Sequence, residues 1–349
     1  MKRKMIKTRI YAGIITIVLL VSTIATGQDT KYAGAFLDLG IGARGMALGG
    51  AYVSVANDGS AFYWNPAGAA TLLRAEVSGM YASLFKSLAT HFYIGFTRPL
   101  HGAGAVSINW IRLSVSDIPR YDSKLLDNPN STYASRVADG PDFALTNEPF
   151  GFSNNNNDAL FITLSKQNKI DIDFGWQYFV MPITIPIGLN VKLIRQTLFD
   201  KEGSGIGFDF GSMLKFGLDD LLNDSHLGKV SVGFAVKDIF ETEITWDTDS
   251  RHSDRITRTW HFGSSYLQPL PKLSSQLLFA YSLQKSQPNS PHNFGLEYLY
   301  YDRLAIRFGL TESKFTAGVG IKLSLFRFDY AFRSHELGGS HRINTSIQL

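Results

Sequence analysis

The sequence predicts an all-β fold, a transmembrane antiparallel up-and-down β-barrel of about 14 strands, since bacterial barrels have an even strand number. Two observations support this prediction. Apolar and polar residues alternate with a period of two from about residue 71 to the end of the sequence. Aromatic residues make up 13% of the 349 residues and charged residues only 18%, a composition that suits strands.

The alternation is clearest in the last quarter of the chain. From Arg303 to Leu310 the even-numbered residues are large and apolar, whereas the odd-numbered ones are Arg, Ala or Gly. The segments 315–323, 326–333 and 342–349 repeat the pattern. Successive side chains of a strand point to opposite faces, so each segment has one apolar face and one polar or small face. Short connections between the segments predict an antiparallel meander.

Further strands are predicted over 75–85, 91–98, 104–116, 159–167, 170–178, 185–199, 206–216, 228–239, 257–268, 273–284 and 292–301. Polar stretches predict loops over 118–158, 241–255 and 286–291. The first of these is the longest and contains Asn154–Asn157, which we interpret as solvated loop residues.

The first 27 residues predict a signal peptide. A basic stretch from Lys2 to Arg9 precedes an apolar stretch from Ile10 to Ile24, and small residues before Gln28 suit cleavage. An uncleaved membrane anchor is the alternative, but the apolar run is short for a spanning helix. We therefore predict export to the outer membrane of a Gram-negative-type bacterium.

The charge and the cysteine content exclude several classes of function. The net charge of +4 includes five basic residues at positions 2–9, so the chain without its signal peptide carries −1. No basic cluster remains for nucleic acid. The chain has no cysteine, which excludes disulfides and thiol chemistry.

A soluble β-sandwich would also give each strand one apolar face. The number of strands, the aromatic cluster Tyr298–Tyr301 at a strand end and a last strand that runs to Leu349 favour the barrel. A sheet that spans hydrocarbon must close, because unpaired backbone groups are costly there. The apolar faces then meet lipid, and the polar faces line the lumen.

The predicted lumen face carries a candidate charge cluster, which comprises Arg303, Arg307, Arg327 and Asp329. These side chains offer a place for an anionic ligand. The alternative, which we favour, is that they pair with acidic neighbours or with water.

Residues 34–72 are rich in small side chains and too poor in bulky apolar ones to form a core of their own. They include Gly42-Ala43-Arg44, Gly49-Gly50-Ala51-Tyr52, Asn57-Asp58-Gly59-Ser60 and Trp64-Asn65-Pro66-Ala67-Gly68. This set of motifs resembles the PorV/PorQ family, which lies within the FadL-like (FadL/TodX) group of outer-membrane barrels.

The resemblance implies that residues 28–71 fold into the lumen as a plug and that residues 72–349 form the barrel. Its motifs supply the candidate site residues Gly42, Arg44, Gly49, Gly50, Asp58, Asn65, Pro66 and Gly68. Pro66 fixes φ, Asn65 and Gly68 suit turns, and Gly49 and Gly50 allow close approach to the barrel wall. We favour a role for these residues in plug folding over a role in ligand binding.

Other motifs point to enzymes or metal sites, and each lacks its context. Gly40–Gly45 matches the dinucleotide pattern, but no βαβ unit follows it. The loop residues Asp247, Asp249, His252 and Asp254 offer ligands for a cation such as calcium, but the Gly and final Glu of an EF-hand are absent. A G-x-S-x-G motif is also absent. We predict no catalytic residue, no cofactor and no metal.

Two functions remain. The resemblance implies a non-enzymatic component of the type IX secretion system, whose partners are secreted protein cargo and other secretion-system subunits, with loop 118–158 as the contact surface. The alternative is a FadL-like channel for hydrophobic small molecules such as long-chain fatty acids. Because the predicted lumen face is mostly polar, we favour the secretion component. Outer-membrane lipid is a partner in either case.

Overall fold

The structure, a computed structural model, describes residues 33–120, 149, 151–173, 180–285, 290–312, 314–334 and 338–349. The predicted signal peptide and most of the predicted loop 118–158 lie outside these residues. Short helices occur at Ala35–Asp38, Ala43–Ala47, Ala61–Trp64, Pro66–Thr71, Leu218–Leu222 and Pro271–Leu273. Within the described residues, no helix has the length and apolar character to span a membrane.

The strands are β1 (Glu76–Leu84), β2 (Ala89–Leu100), β3 (Gly104–Arg120), β4 (Gly151–Asp173), β5 (Val180–Leu198), β6 (Lys201–Gly217), β7 (Lys229–Lys237), β8 (Thr242–Trp246), β9 (Ser253–Ile256), β10 (Thr259–Leu270), β11 (Ser275–Lys285), β12 (His292–Tyr300), β13 (Leu304–Thr311), β14 (Lys314–Leu323), β15 (Phe326–Arg333) and β16 (Ser340–Gln348).

Fourteen of these strands close into an antiparallel barrel. The ring runs from β5 through β4, β3, β2 and β1 to β16, then back through β15 to β10, β7 and β6, and the pairing of β6 with β5 completes it. β8 and β9 form a hairpin on the upper part of β6. Closure pairs the strand edges that hydrocarbon would otherwise leave unsatisfied. The predicted fold class and strand number are confirmed.

The two faces of the wall have the predicted chemistry. In β13, Ala305 and Arg307 are buried in the lumen, whereas Leu304, Ile306 and Phe308 are exposed on the outer face. The same alternation holds in β14, β15 and β16. The outer faces therefore form the apolar band that a bilayer requires.

Strands β3 to β6 are long, with 17, 23, 19 and 17 residues, whereas about 9–11 residues cross a bilayer. Two predictions were therefore wrong in detail. The predicted strand 159–167 and the described part of the predicted strand 170–178 belong to one strand, because β4 runs from Gly151 to Asp173. The predicted loop 118–158 was too wide, because β3 continues to Arg120 and β4 begins at Gly151.

The asparagine run Asn154–Asn157 lies in β4 and not in a solvated loop. The Asn154 Oδ1 atom accepts a hydrogen bond from the Asp117 amide at 3.1 Å, and Asn155 Oδ1 accepts one from the Phe199 amide at 3.1 Å. These side chains bond β4 to β3 and to the turn after β5, where a β-bulge in β3 interrupts the regular ladder. Asparagine here replaces backbone pairing, and the sequence pattern does not distinguish this role from a loop.

The two ends of the barrel differ. The chain enters β1 and leaves β16 at the same end, where turns such as 101–103 and 324–325 are short. The opposite end carries the connection 121–150 and the hairpin of β8 and β9. Outer-membrane barrels place short turns in the periplasm and long loops outside. We therefore call the first end periplasmic and the second extracellular.

Candidate functional site

The described part of the N-terminal segment, residues 33–72, lies inside the barrel, and we call it the plug. Ile41, Leu48, Tyr52 and Asn65 have 0% exposure. Wall side chains satisfy its backbone carbonyls. In each of these hydrogen bonds a wall side chain donates to a plug carbonyl: Tyr93 to that of Gly59 (2.8 Å), Asn190 to Phe62 (2.8 Å), Ser231 to Ser54 (2.8 Å), Ser282 to Gly50 (3.2 Å), Thr316 to Ala47 (2.9 Å) and Arg342 to Leu39 (2.8 Å). A buried segment without a strand ladder needs such partners.

Arg44 links the plug to the wall through a chain of ion pairs. Its guanidinium donates to both carboxylate oxygens of Glu297 on β12, at 2.8 Å each. Glu297 also accepts from Arg307 on β13 at 2.5 Å, and Arg307 donates to Asp329 on β15 at 2.6 Å. Positive and negative side chains alternate along this series of ion pairs, so each buried charge contacts one of opposite sign, as burial requires.

The same arginine also organises the plug itself. The Arg44 Nη1 atom donates to the Tyr52 hydroxyl at 3.1 Å and to Asn57 Oδ1 at 2.7 Å. Burial raises the pKa of the Tyr52 hydroxyl well above its usual range, so the hydroxyl stays protonated and donates to Asp58 Oδ2 at 2.6 Å. Asp58 Oδ1 accepts from the Ser60 hydroxyl at 2.6 Å. Arg44 and Asp58, singled out by the motif, are thus neighbours in one network.

The structure brings together only part of the predicted charge cluster. Arg307 and Asp329 are buried and paired. Arg327 is half-buried on the lumen face of β15, and Arg303 lies exposed in the turn before β13, outside the strand in which it was expected. Within the described residues, the side chains of Arg303 and Arg327 make no hydrogen bond or ion pair.

The glycines of the motif lie where the backbone is left-handed or crowded. Gly42, Gly49 and Gly50 have φ angles of 80°, 67° and 83°, a region that strongly favours glycine. A Cβ at Gly49 would lie 2.9 Å from the backbone nitrogen of Leu310. The plug backbone therefore contacts β13 directly at this point.

Asn65, Pro66 and Gly68 form the turn that ends the plug. Asn65 is fully buried, and its side chain accepts from the Ala67 amide at 3.1 Å and donates to the Val53 carbonyl at 2.9 Å. Pro66 begins the helix Pro66–Thr71, a position that suits proline because its missing N–H is not needed there. A side chain at Gly68 would overlap the Ala56 carbonyl. The contacts of these residues are with the plug and the wall.

A row of inward-facing glycines contacts the plug, and the sequence did not predict it. We call it the glycine wall, and it comprises Gly233 on β7, Gly263 on β10, Gly295 on β12, Gly309 on β13 and Gly318 on β14. A Cβ at any of them would crowd plug atoms between Ala47 and Ser54. The signal was present in part, because the alternation already placed Gly309 and Gly318 on the lumen face.

The opposite wall carries an apolar cluster among polar lumen residues such as Asn109, Asn190 and Lys192. We call it the apolar wall, and it comprises the buried residues Met80 and Leu84 on β1, Tyr93 on β2, Ile111 on β3, Phe161 on β4, Ile194 on β5 and Met213 on β6. The plug residue Phe62 packs on it, with ring centroids 5.0 Å from Phe161 and 5.4 Å from Tyr93. Such aromatic contacts add to the burial of apolar area.

A second buried ion cluster lies on the extracellular side of the plug. Lys192 on β5 contacts Asp209 on β6 at 2.8 Å and Asp238 after β7 at 2.8 Å. Asp238 in turn accepts a hydrogen bond from Thr242 of β8. This cluster fastens the hairpin of β8 and β9 to the wall. No short sequence motif marks it, because its members come from four separate elements.

The motifs that were set aside have structural contacts instead. Asp247 Oδ1 accepts from the Glu202 amide at 2.7 Å, and Asp254 Oδ2 accepts from the Trp246 indole at 2.8 Å. In the described ranges, no group of three or more His, Asp or Glu residues is arranged to hold a metal ion. Gly40–Gly45 lies within the plug and leads into the short helix Ala43–Ala47.

The chain is similar to one protein family and to several solved outer-membrane proteins. Residues 16–107 match the model of an uncharacterised protein family (UPF0164). A comparison with curated proteins found no match. Among solved structures, the chain is similar to the toluene transporter TodX of Pseudomonas putida (7% identity, TM-score 0.48, 89% of this chain and 99% of that chain). It is also similar to the monoaromatic hydrocarbon channel CymD (10%, 0.46, 88% and 96%) and to a Pseudomonas aeruginosa FadL homologue (10%, 0.41, 85% and 95%).

At these identities the likeness is one of fold and not of function. The PorV/PorQ resemblance stays a prediction. The chain is an outer-membrane-type β-barrel whose lumen contains its own N-terminal segment.

Proposed function

We propose that the protein is a closed outer-membrane scaffold that binds an exported protein at its extracellular end, as a component of a secretion system of the type IX kind. The observation that supports this proposal is the height of the wall formed by β3 to β6. The plug in the lumen is consistent with it, because a scaffold needs no open path.

The upper edge of the lipid band is marked on the outer face of β3 and β4. There Asp158 accepts from the Arg112 guanidinium at 2.7 Å and from the Trp110 indole at 2.9 Å. Tryptophan and charged pairs belong at the membrane interface and not in hydrocarbon. Above this level β3 continues to Arg120 and β4 returns from Gly151. At about 3.3 Å per residue, the wall rises about 20 Å above the membrane surface.

This raised wall presents aromatic and charged side chains to water. Phe152 is 64% exposed on the outer face, and Phe199 is 46% exposed in the turn between β5 and β6. The Arg120 guanidinium lies 5.9 Å from the Phe199 ring centroid and 3.4 Å from Asp200. Aromatic residues and arginine are enriched in protein–protein interfaces.

The test combines Phe152→Ala with Phe199→Ala and measures which exported proteins are cross-linked to the barrel at the cell surface. We expect recovery of the bound protein to fall about tenfold or more, which corresponds to about 1.4 kcal/mol. The matched control is Phe294→Ala, because Phe294 is 52% exposed but lies in the lipid band. Equal recovery from the double variant and the control would contradict the proposal.

The apolar wall supports a second candidate, a channel for hydrophobic small molecules. The plug side chain Phe62 covers an apolar surface of the lumen, which would line a path if the plug moved. Uptake of a labelled long-chain fatty acid by cells with and without the protein tests this function. Uptake that depends on the protein and persists in the Phe152/Phe199 double variant would favour the channel over the scaffold.

A further inference from the structure

Three basic side chains form a row at the periplasmic rim of the barrel, at the ends of three adjacent strands. Arg303 precedes β13, Lys322 lies on β14 and Arg327 lies on β15. The Lys322 amide donates to the Arg303 carbonyl at 2.8 Å, and Lys322 is directly opposite Arg327 in the sheet register. All three line one recess on the lumen side. We call these residues the basic rim.

The basic rim is not neutralised by the carboxylates around it. Lys322 pairs with Asp302 at 2.6 Å. Glu76 on β1 also faces Arg327, but it accepts from the Gly59 amide at 2.8 Å and from the Gln348 amide group at 3.2 Å. Asp302 and Glu76 together leave one positive charge of the rim uncompensated. The deeper pair of Arg44 and Arg307 is balanced by Glu297 and Asp329.

The recess shares Leu299, Asp302 and Arg327 with a vestibule of about 590 Å³ between the plug and the periplasmic mouth. The vestibule is lined by apolar side chains that include Val55, Leu278 and Leu299, and by charged ones that also include Lys215, Asp220 and Lys229. The Ser54 hydroxyl also lines it and is buried with no hydrogen-bond partner among the described residues. A volume of this size is typical of a small-molecule site.

We propose that the vestibule binds a water-soluble amphiphilic anion from the periplasm. A phosphate or carboxylate head group contacts the guanidinium groups of Arg303 and Arg327, which suit such oxygen groups geometrically. The apolar body lies against Val55, Leu278 and Leu299. This site is separate from the raised wall at the extracellular end, so either proposal stands without the other.

The test uses the full chain in nanodiscs of phosphatidylcholine and measures the binding of octyl phosphate by calorimetry. Inorganic phosphate and octyl glucoside test the head group and the apolar body separately. The variant is Arg303→Gln with Arg327→Gln. The matched control is Lys272→Gln, because Lys272 is exposed in a periplasmic turn outside the vestibule lining.

We expect octyl phosphate to bind at least tenfold more tightly than inorganic phosphate. The double variant should lose at least tenfold in affinity for octyl phosphate, whereas Lys272→Gln should bind as the unmodified protein does. The affinity for octyl glucoside should be the same in both variants as in the unmodified protein. Unchanged binding of octyl phosphate to the double variant would overturn the proposal, and so would inorganic phosphate that binds as tightly as octyl phosphate.

Discussion

The apolar wall and the glycine wall hold the same plug by different means. On the apolar wall, bulky side chains of β1 to β6 pack against side chains of the plug, above all Phe62. On the glycine wall, the backbone of β7, β10, β12, β13 and β14 lies directly against the plug between Ala47 and Ser54. The first contact excludes water from apolar area, whereas the second depends on the absence of side chains.

The plug thus shows two ways in which a segment rich in small residues is held in a lumen. One short helix, Ala61–Trp64, provides apolar anchoring. Between Ala47 and Ser54, the wall also approaches the plug backbone closely and supplies hydrogen bonds to its carbonyls. The ion pair of Arg44 with Glu297 then fixes the plug to β12. Substitutions at these contacts test whether they carry the stability that we assign to them.

The largest effect is expected on the apolar wall, for Phe62→Ala. Phe62 is 1% exposed, and removing a buried phenyl ring leaves a cavity that costs about 3–5 kcal/mol. The urea midpoint of unfolding should fall, and added protease should cleave the plug faster. The control Phe315→Ala removes a ring that is 45% exposed on the outer face, where lipid fills the space. Equal shifts in the two variants would show that the plug does not depend on the apolar wall.

An intermediate effect is expected for Glu297→Gln, which removes the carboxylate shared by Arg44 and Arg307. Two buried guanidinium groups then lose a partner, at a cost of about 3 kcal/mol. The measurement is again the urea midpoint, with Asp302→Asn as control because its pair with Lys322 is largely exposed. Exposed pairs contribute about 0–1 kcal/mol. A larger shift for the control than for Glu297→Gln would contradict the role of Arg44 as the anchor.

The smallest effect is expected on the glycine wall, for Gly309→Ala. The added Cβ would overlap backbone atoms of Leu48 and Gly49, and such crowding costs about 1–3 kcal/mol. The plug should shift away from β13, which protease cleavage and conductance in a planar bilayer would detect. Gly79→Ala is the control, because the atom nearest to the added Cβ would be the Tyr93 carbonyl oxygen at 3.4 Å. Identical behaviour of the two variants would mean that the glycine wall does not position the plug.

The sequence predicted the barrel well because its cause is local. Alternation along a strand records which face meets lipid, and a single segment such as 303–310 contains that information. The same reasoning failed at the two described ends of the predicted loop 118–158, residues 118–120 and 151–158, where polarity was taken as evidence of a loop. There the strands rise above the membrane, so their outer faces are polar, and Asn154 and Asn155 bond to neighbouring strands.

The candidate site was predicted only in part. Arg44 and Asp58 were singled out by a motif, and the structure places them in one network through Tyr52. Arg307 and Asp329 were identified from the alternation and are paired. Glu297 joins the two groups, but its part in the network depends on a contact between residues 253 positions apart in the chain. No local pattern reports such a contact.

The sequence by itself determined the strand periodicity, the lipid-facing residues and the presence of a segment too poor in apolar side chains to fold alone. These are properties of neighbouring residues, and elementary side-chain geometry converts them into structure. Only the tertiary structure decided which wall meets the plug through side chains and which through glycine. It also decided which arginines of the lumen are paired and which line the basic rim, because closing the ring of strands sets the distances between those side chains.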